Sequence, residues 1–93
     1  MKISASEQVQ RWLSALPPDS KKRVRSVLRA LQSGKGDIRA LRGGLEGFCR
    51  LRIGGLRVVY SQHPGKRIRL EYADQRDAVY EAFLRILRER ARR

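Results

Sequence analysis

The sequence holds one cysteine, one histidine and one tryptophan, and sets only 9 acidic residues against 22 lysines and arginines. A lone cysteine, Cys49, excludes a disulfide within the chain. Together with the lone His63 it offers too few ligands for a metal site, so Cys49 is expected as a packed core residue and neither a metal nor a cofactor is expected. No long apolar run is present. This predicts neither a signal peptide nor a transmembrane helix, no membrane partner, and a cytoplasmic location. Internal repeats and low-complexity stretches are missing as well.

What is there is charge. The formal net charge is +13 on 93 residues, with a sequence pI near 11.4. Such a charge repels itself, so folding alone does not account for it, and it points to a polyanionic partner. The basic residues run through both halves of the chain, which argues against a disordered basic arm on a neutral domain. Hydrophobic content of 41% suffices for one thin core, and the length suits a single domain over residues 1–93. Arginine greatly outnumbers lysine, and its planar donors match phosphate bidentately.

Hydrophobic periodicity divides the chain. Residues 1–4 suit a short strand. Ser4 followed by Glu7 is a capping-box pattern that starts a helix carrying Val9, Trp12, Leu13 and Leu16, and Pro17-Pro18 ends it. A second helix, capped by Asp19 or Ser20, buries Val24, Val27, Leu28 and Leu31 and stops before Gly34. Its opposite face carries Lys21, Arg25 and Arg29 at successive i, i+4 positions, which is either a solvated face or a track for a phosphate backbone. Residues 34–47, "GKGDIRALRGGLEG", read as a loop pinned by Leu41 and Leu45. Three strands follow at 48–53, 56–62 and about 67–73. A helix from about Asp77 with Val79, Phe83, Ile86 and Leu87 as its stripe closes the chain. The expected fold is α+β, in the order β-α-α-β-β-β-α. A small antiparallel sheet has two N-terminal helices on one face, and the other face is free.

The stretch "RLRIGGLRVVY" (50–60) reads as a hairpin turned at Gly54-Gly55, which pairs Ile53 with Leu56, Arg52 with Arg57 and Leu51 with Val58. Alternation then puts Cys49, Leu51, Ile53, Leu56, Val58 and Tyr60 on the core face and Arg50, Arg52 and Arg57 on the other. Ile68, Leu70 and Tyr72 share a core face in the next strand. Like charges opposite one another destabilise a sheet. The three arginines therefore either meet the nearby acids Glu46 and Glu71 or hold an anion.

At this point "LRGGLEGFCRLRIGGLRVVY" (41–60), followed by a strand and "ADQRDAVY" (73–80), resembles the RelE/ParE toxin superfamily. The likeness covers residues 1–88 and is sharpest over 41–80. In the RelE branch it implies the toxin of a type II toxin–antitoxin system, an endoribonuclease that cuts mRNA in the ribosomal A site without a metal. The 2′-hydroxyl attacks the adjacent phosphate and expels the 5′-oxygen. Matched residue by residue, Arg50 and Arg52 take the two basic positions of the central strand and stabilise developing charge. Arg57 and Arg76 hold the scissile phosphate, and Tyr80 orients the nucleotide or assists proton transfer. Phe48 either stacks on a base or closes the sheet end. Lys21, Arg25, Arg29 and Phe48 are the further RNA-binding candidates.

One departure stands out. The family places lysines at the first two positions, whereas Arg50 and Arg52 keep their protons and are poor bases. Glu46 is then a candidate base; His63, beside Pro64 in a turn, suits a solvent-exposed role. The resemblance leaves open a ParE-like gyrase poison without nuclease activity, or a nontoxic relative that only binds nucleic acid. The RelE and ParE readings both imply an antitoxin partner, acidic in its wrapping segment, in a hetero-oligomer; the RelE reading adds the ribosome and mRNA.

Overall fold

A computed structural model describes residues 2–92. Its elements are β1 (Lys2–Ala5), α1 (Glu7–Ala15), α2 (Pro18–Leu31), β2 (Asp37–Ala40), β3 (Phe48–Ile53), β4 (Leu56–His63), β5 (Arg67–Gln75) and α3 (Ala78–Ala91). The five strands form one sheet in the order β1-β5-β4-β3-β2. The sheet is antiparallel except at one edge, where β1 lies parallel to β5. The first strand spans the expected region, although Met1 lies outside the described residues. The α+β class and the order of the expected elements hold.

The hairpin forms in the expected register, with Ile53 opposite Leu56, Arg52 opposite Arg57 and Leu51 opposite Val58. Gly54 takes φ +59°, the left-handed conformation needed at the first turn position. Leu51, Ile53, Val58 and Tyr60 lie in a core closed by Val9 of α1 and Val24 and Leu31 of α2. Trp12, Leu13, Val27, Leu28 and Cys49 pack around them. The N-terminal helices thus cover one face, as their apolar stripes require.

Four local expectations change. The helix cap of α1 is Ser6, not Ser4. Ser6 Oγ accepts from Val9 N at 3.3 Å and donates to the Glu71 carbonyl at 2.8 Å, while Ser4 is held in the sheet beside Arg69. Helix α2 begins one residue before Asp19, at Pro18. Its N-cap is Pro17, with no side-chain cap; proline at the first helical position costs no hydrogen bond. Residues 37–40, read within a loop, instead form β2 along the edge of β3. Tyr72 does not share the face of Ile68 and Leu70. The ladder slips between Val59 and Tyr60, so that Val59 faces Tyr72 and Tyr60 faces Leu70, with Glu71 as the extra residue. Such a bulge returns Ala73 to the first core and turns Tyr72 to the opposite side.

The opposite face of the sheet is not free. Helix α3 lies across its β4–β5 half, burying Val79 and Phe83 against Val59 and Leu45, with Tyr72, Leu84 and Leu87 around them. Phe83 meets Phe48 edge-on at 5.0 Å and Tyr72 at 6.3 Å. Beyond α3, toward β2 and β3, stand Arg50 and Arg52, with Arg57 beside them at the hairpin end of β4.

Candidate functional site

Strand β2 pairs Asp37 with Arg52 and Arg39 with Arg50. By alternation these residues share a face with Arg57, which is opposite Arg52 on β4. After β2 the chain stays on this side. Leu41 N donates to the Phe48 carbonyl at 3.0 Å, and Phe48 N donates to the Leu45 carbonyl at 3.2 Å. Leu45 is buried beneath α3, so the loop carrying Arg42 leans toward that helix. Gly44 is close enough that an added Cβ would stand 3.1 Å from Leu84 Cδ1. Between the loop, the strand ends and the first turn of α3 lies a cleft of about 350 Å³. Arg39, Arg42, Arg50, Arg52 and Arg57 line it, together with Leu41, Leu45, Asp77 and Tyr80.

Five arginines surround one small space. Arg50 is the buried one, only 9% exposed. Its Nη2 lies 3.4 Å from Asp37 Oδ1, and its Nε is buried without a hydrogen-bond partner. Burying a donor unmet costs about 1–3 kcal/mol. Arg52 is half exposed, with Nε 4.0 Å from Asp37 Oδ2. Arg57 Nη1 donates to the carbonyls of Gly54 at 2.7 Å and Leu56 at 3.0 Å, which anchors its guanidinium at the hairpin.

Of the two alternatives, pairing with Glu46 and Glu71 does not occur. Glu46 turns to its own loop and accepts from Gly44 N at 2.9 and 3.1 Å. Glu71 accepts from Ser61 Oγ at 2.6 Å and Arg69 Nε at 3.3 Å. The carboxylate that does reach Arg50 and Arg52 is Asp37, shared between both. Asp37, Asp77 at the cleft wall and Asp74 opposite Arg57 are outnumbered by the five guanidiniums, which leaves a positive cleft suited to phosphate.

Of the residues singled out in the sequence, Arg50, Arg52, Arg57 and Tyr80 come together here. Arg76 does not join them. It stands at φ +49°, its N–H bonded to the Gly55 carbonyl at 2.8 Å, and lines a separate cleft with Arg23, Ser20 and Leu56. Phe48 is packed against Phe83 at the sheet end. Lys21, Arg25 and Arg29 line a basic groove of about 460 Å³ with Lys22 on the outer face of α2, across the sheet from the arginine cleft. His63 closes β4, its Nε2 2.8 Å from Ser61 Oγ. Six residues of strand separate it from Arg57, roughly 20 Å.

Sequence reasoning missed Arg39, Arg42, Asp37 and Asp77. The alternation in "DIRA" held the signal for Asp37 and Arg39, but its four residues lie among glycines that suggest a loop. Among the described residues no group of three or more His, Cys, Asp and Glu is placed to hold a metal. No helix of the structure is long and apolar enough to cross a membrane.

No protein-family model matches the sequence, and no curated protein does. Solved structures do match its fold. A chain of the toxin–antitoxin complex RelBE2 from Mycobacterium tuberculosis superposes with a TM-score of 0.70 at 22% identity, over 81% of this chain and 90% of that one. The RelB-RelE antitoxin–toxin complex from Methanococcus jannaschii gives 0.67 at 20% identity, over 86% and 98%. A YoeB/ParE toxin from Agrobacterium tumefaciens gives 0.66 at 17% identity, over 81% and 98%. With the sheet order, the helix placement and these likenesses in agreement, the chain has the RelE-like toxin fold.

Proposed function

We propose that the chain is the toxin of a toxin–antitoxin pair and that it cleaves mRNA in the ribosomal A site. The observation that carries this reading is the cleft lined by five arginines, among them the buried Arg50 with its unpartnered Nε, and by Tyr80. Its fold is that of chains in toxin–antitoxin complexes.

The chemistry asked of the cleft is in-line attack of a ribose 2′-hydroxyl on its own 3′-phosphate. Negative charge builds on the non-bridging oxygens as five bonds to phosphorus form. Preorganised cations around that point stabilise the transition state more than the ground state. Arg50 and Arg52 take this role from the sheet floor, and Arg57 holds the phosphate from the hairpin. Arg39 and Arg42 extend the positive field along the strand edge, and Tyr80 orients the nucleotide from α3. Arg76, in its separate cleft, is not assigned to the phosphate. Lys21, Arg25 and Arg29 make a second surface for RNA, which suits a protein lodged between mRNA and the ribosome. An antitoxin with an acidic wrapping segment would neutralise the +13 charge and speed association.

The test is induction of the wild-type chain, Arg57→Ala and Tyr80→Phe in bacteria, followed by mapping of mRNA 5′ ends. The expected outcome is growth arrest with new ends at in-frame codon positions, lost in Arg57→Ala and reduced in Tyr80→Phe. Arrest with DNA damage and no new ends would instead favour a gyrase poison, a reading supported by the lack of lysine or histidine in the cleft. No arrest would leave a nontoxic nucleic-acid-binding relative.

A further inference from the structure

A cleft built of guanidiniums can hold a phosphate, but it has no arginine able to accept a proton. We infer that the Asp77 carboxylate at the first turn of α3 is the general base of this cleft, taking the proton of the attacking 2′-hydroxyl. The inference rests on the RNA-cleaving reading above.

Four carboxylates lie near the arginines, and three are committed. Asp74, opposite Arg57 across β4 and β5, accepts from Gln75 N at 2.7 Å and does not line the cleft. Asp37 is bound to Arg50 and Arg52. Glu46 is bound to Gly44 N. Asp77 lines the cleft itself. It occupies the N-cap of α3, where an aspartate ordinarily bonds the N–H groups of the first turn, yet its side chain makes no cap hydrogen bond. Among the described residues no ion pair holds it either. It precedes Tyr80 by three residues, so the two project from one side of the helix into the same space. The independent sign that this space expects a ligand is Arg50, nine-tenths buried with Nε unmet. His63 and Ser61 offer no substitute, since Ser61 gives its proton to Glu71 and His63 lies at the other end of β4.

The step balances without a co-reactant other than water. The 2′-oxygen forms a bond to phosphorus as its proton passes to a carboxylate oxygen of Asp77. The bond from phosphorus to the 5′-oxygen breaks, and that oxygen takes a proton from water. Asp77 then releases its proton to solvent. The products are a 2′,3′-cyclic phosphate and a 5′-hydroxyl.

The experiment uses the purified protein and mRNA-programmed bacterial ribosomes, with single-turnover cleavage followed across pH. Asp77→Asn keeps the size of the side chain and caps a helix about as well, so folding is preserved; a thermal melt checks this. Loss of a general base lowers the rate by about a hundredfold or more. The expected result is that loss in Asp77→Asn, disappearance of the acid limb of the pH–rate profile, and affinity for a 2′-deoxy, uncleavable message within about threefold of wild type. Three results overturn the inference. Cleavage by Asp77→Asn at the wild-type rate with the same acid limb leaves RNA cleavage standing and removes Asp77 from it. Equal loss of cleavage and of binding to the 2′-deoxy message makes Asp77 a positioning residue. No cleavage by the wild type overturns the RNA-cleaving reading itself, and Asp77's role with it.

Discussion

Burial pushes the Tyr60 phenol up to about 12 from its ordinary 10.0, and the neighbouring Cys49 adds to the push. The two residues are direct partners across β3 and β4. Because the native state holds this proton more tightly, Tyr60's contribution is fully present below about pH 10. It is lost as pH rises toward 12, at about 1.4 kcal/mol per pH unit. Urea melts from about pH 9 upward should show this fall in the wild type and a shallower one in Tyr60→Phe. On the far side of the sheet, Asp37 restrains the arginine cleft. Asp37→Asn should cost about 1 kcal/mol, because Arg50 loses its counter-charge. It should also tighten RNA binding in a fluorescence anisotropy titration by freeing Arg50 and Arg52. That the three hairpin arginines share a face was legible from alternation. Their link to Asp37 was not, since it depends on a strand that crosses from a glycine-rich segment.

At the scale of elements, β2 decides whether the cleft has a wall. Gly36 precedes it at φ +143°, and a Cβ there would stand 2.8 Å from Leu51 Cδ1, a side chain with 0% exposure and no room to yield. Gly36→Ala should therefore destabilise the protein by about 2 kcal/mol and weaken RNA binding by displacing Arg39, whereas Gly43→Ala, whose Cβ meets nothing within 4 Å and which bears only the strain of φ +65°, should cost about 1 kcal/mol and spare the wall. Denaturation and anisotropy on both variants check this. Helix α3 supplies the opposite wall through Phe83. Phe83→Ala should cost about 3–5 kcal/mol and loosen Tyr80 and Asp77, seen as faster amide exchange along α3. The hairpin register was readable because two adjacent glycines fix the turn. The docking of α3 was not, because an apolar stripe says that a helix is buried but not against which face. The bulge at Glu71 escaped for a related reason: a slipped ladder is set by the partner strand.

For the whole molecule, charge dominates. Among the described residues, ion pairs reach Arg11, Arg50, Arg52 and Arg69, so most of the 22 lysines and arginines, and the whole net charge of +13, are left to solvent and partners. Self-repulsion of this kind is screened by salt. The melting temperature should rise as salt increases from about 0.01 to 0.3 M, while RNA affinity falls with a log–log slope of about −0.7 per phosphate neutralised. Composition alone announced a polyanion partner. Which basic surface meets it was not in the composition, since the arginine cleft and the Lys21–Arg29 groove lie on opposite sides of the sheet. The most direct measurement is ¹H–¹⁵N NMR of the arginine Nε groups while a short 2′-deoxy-blocked RNA is titrated in. If the cleft is the phosphate site, the Arg50 Nε–H resonance, buried and unpartnered in the free protein, shifts saturably, with Arg52 and Arg57 following the same curve. If Arg50 stays fixed while Arg25 and Arg29 respond, the phosphate binds on α2 and the cleft is not the site.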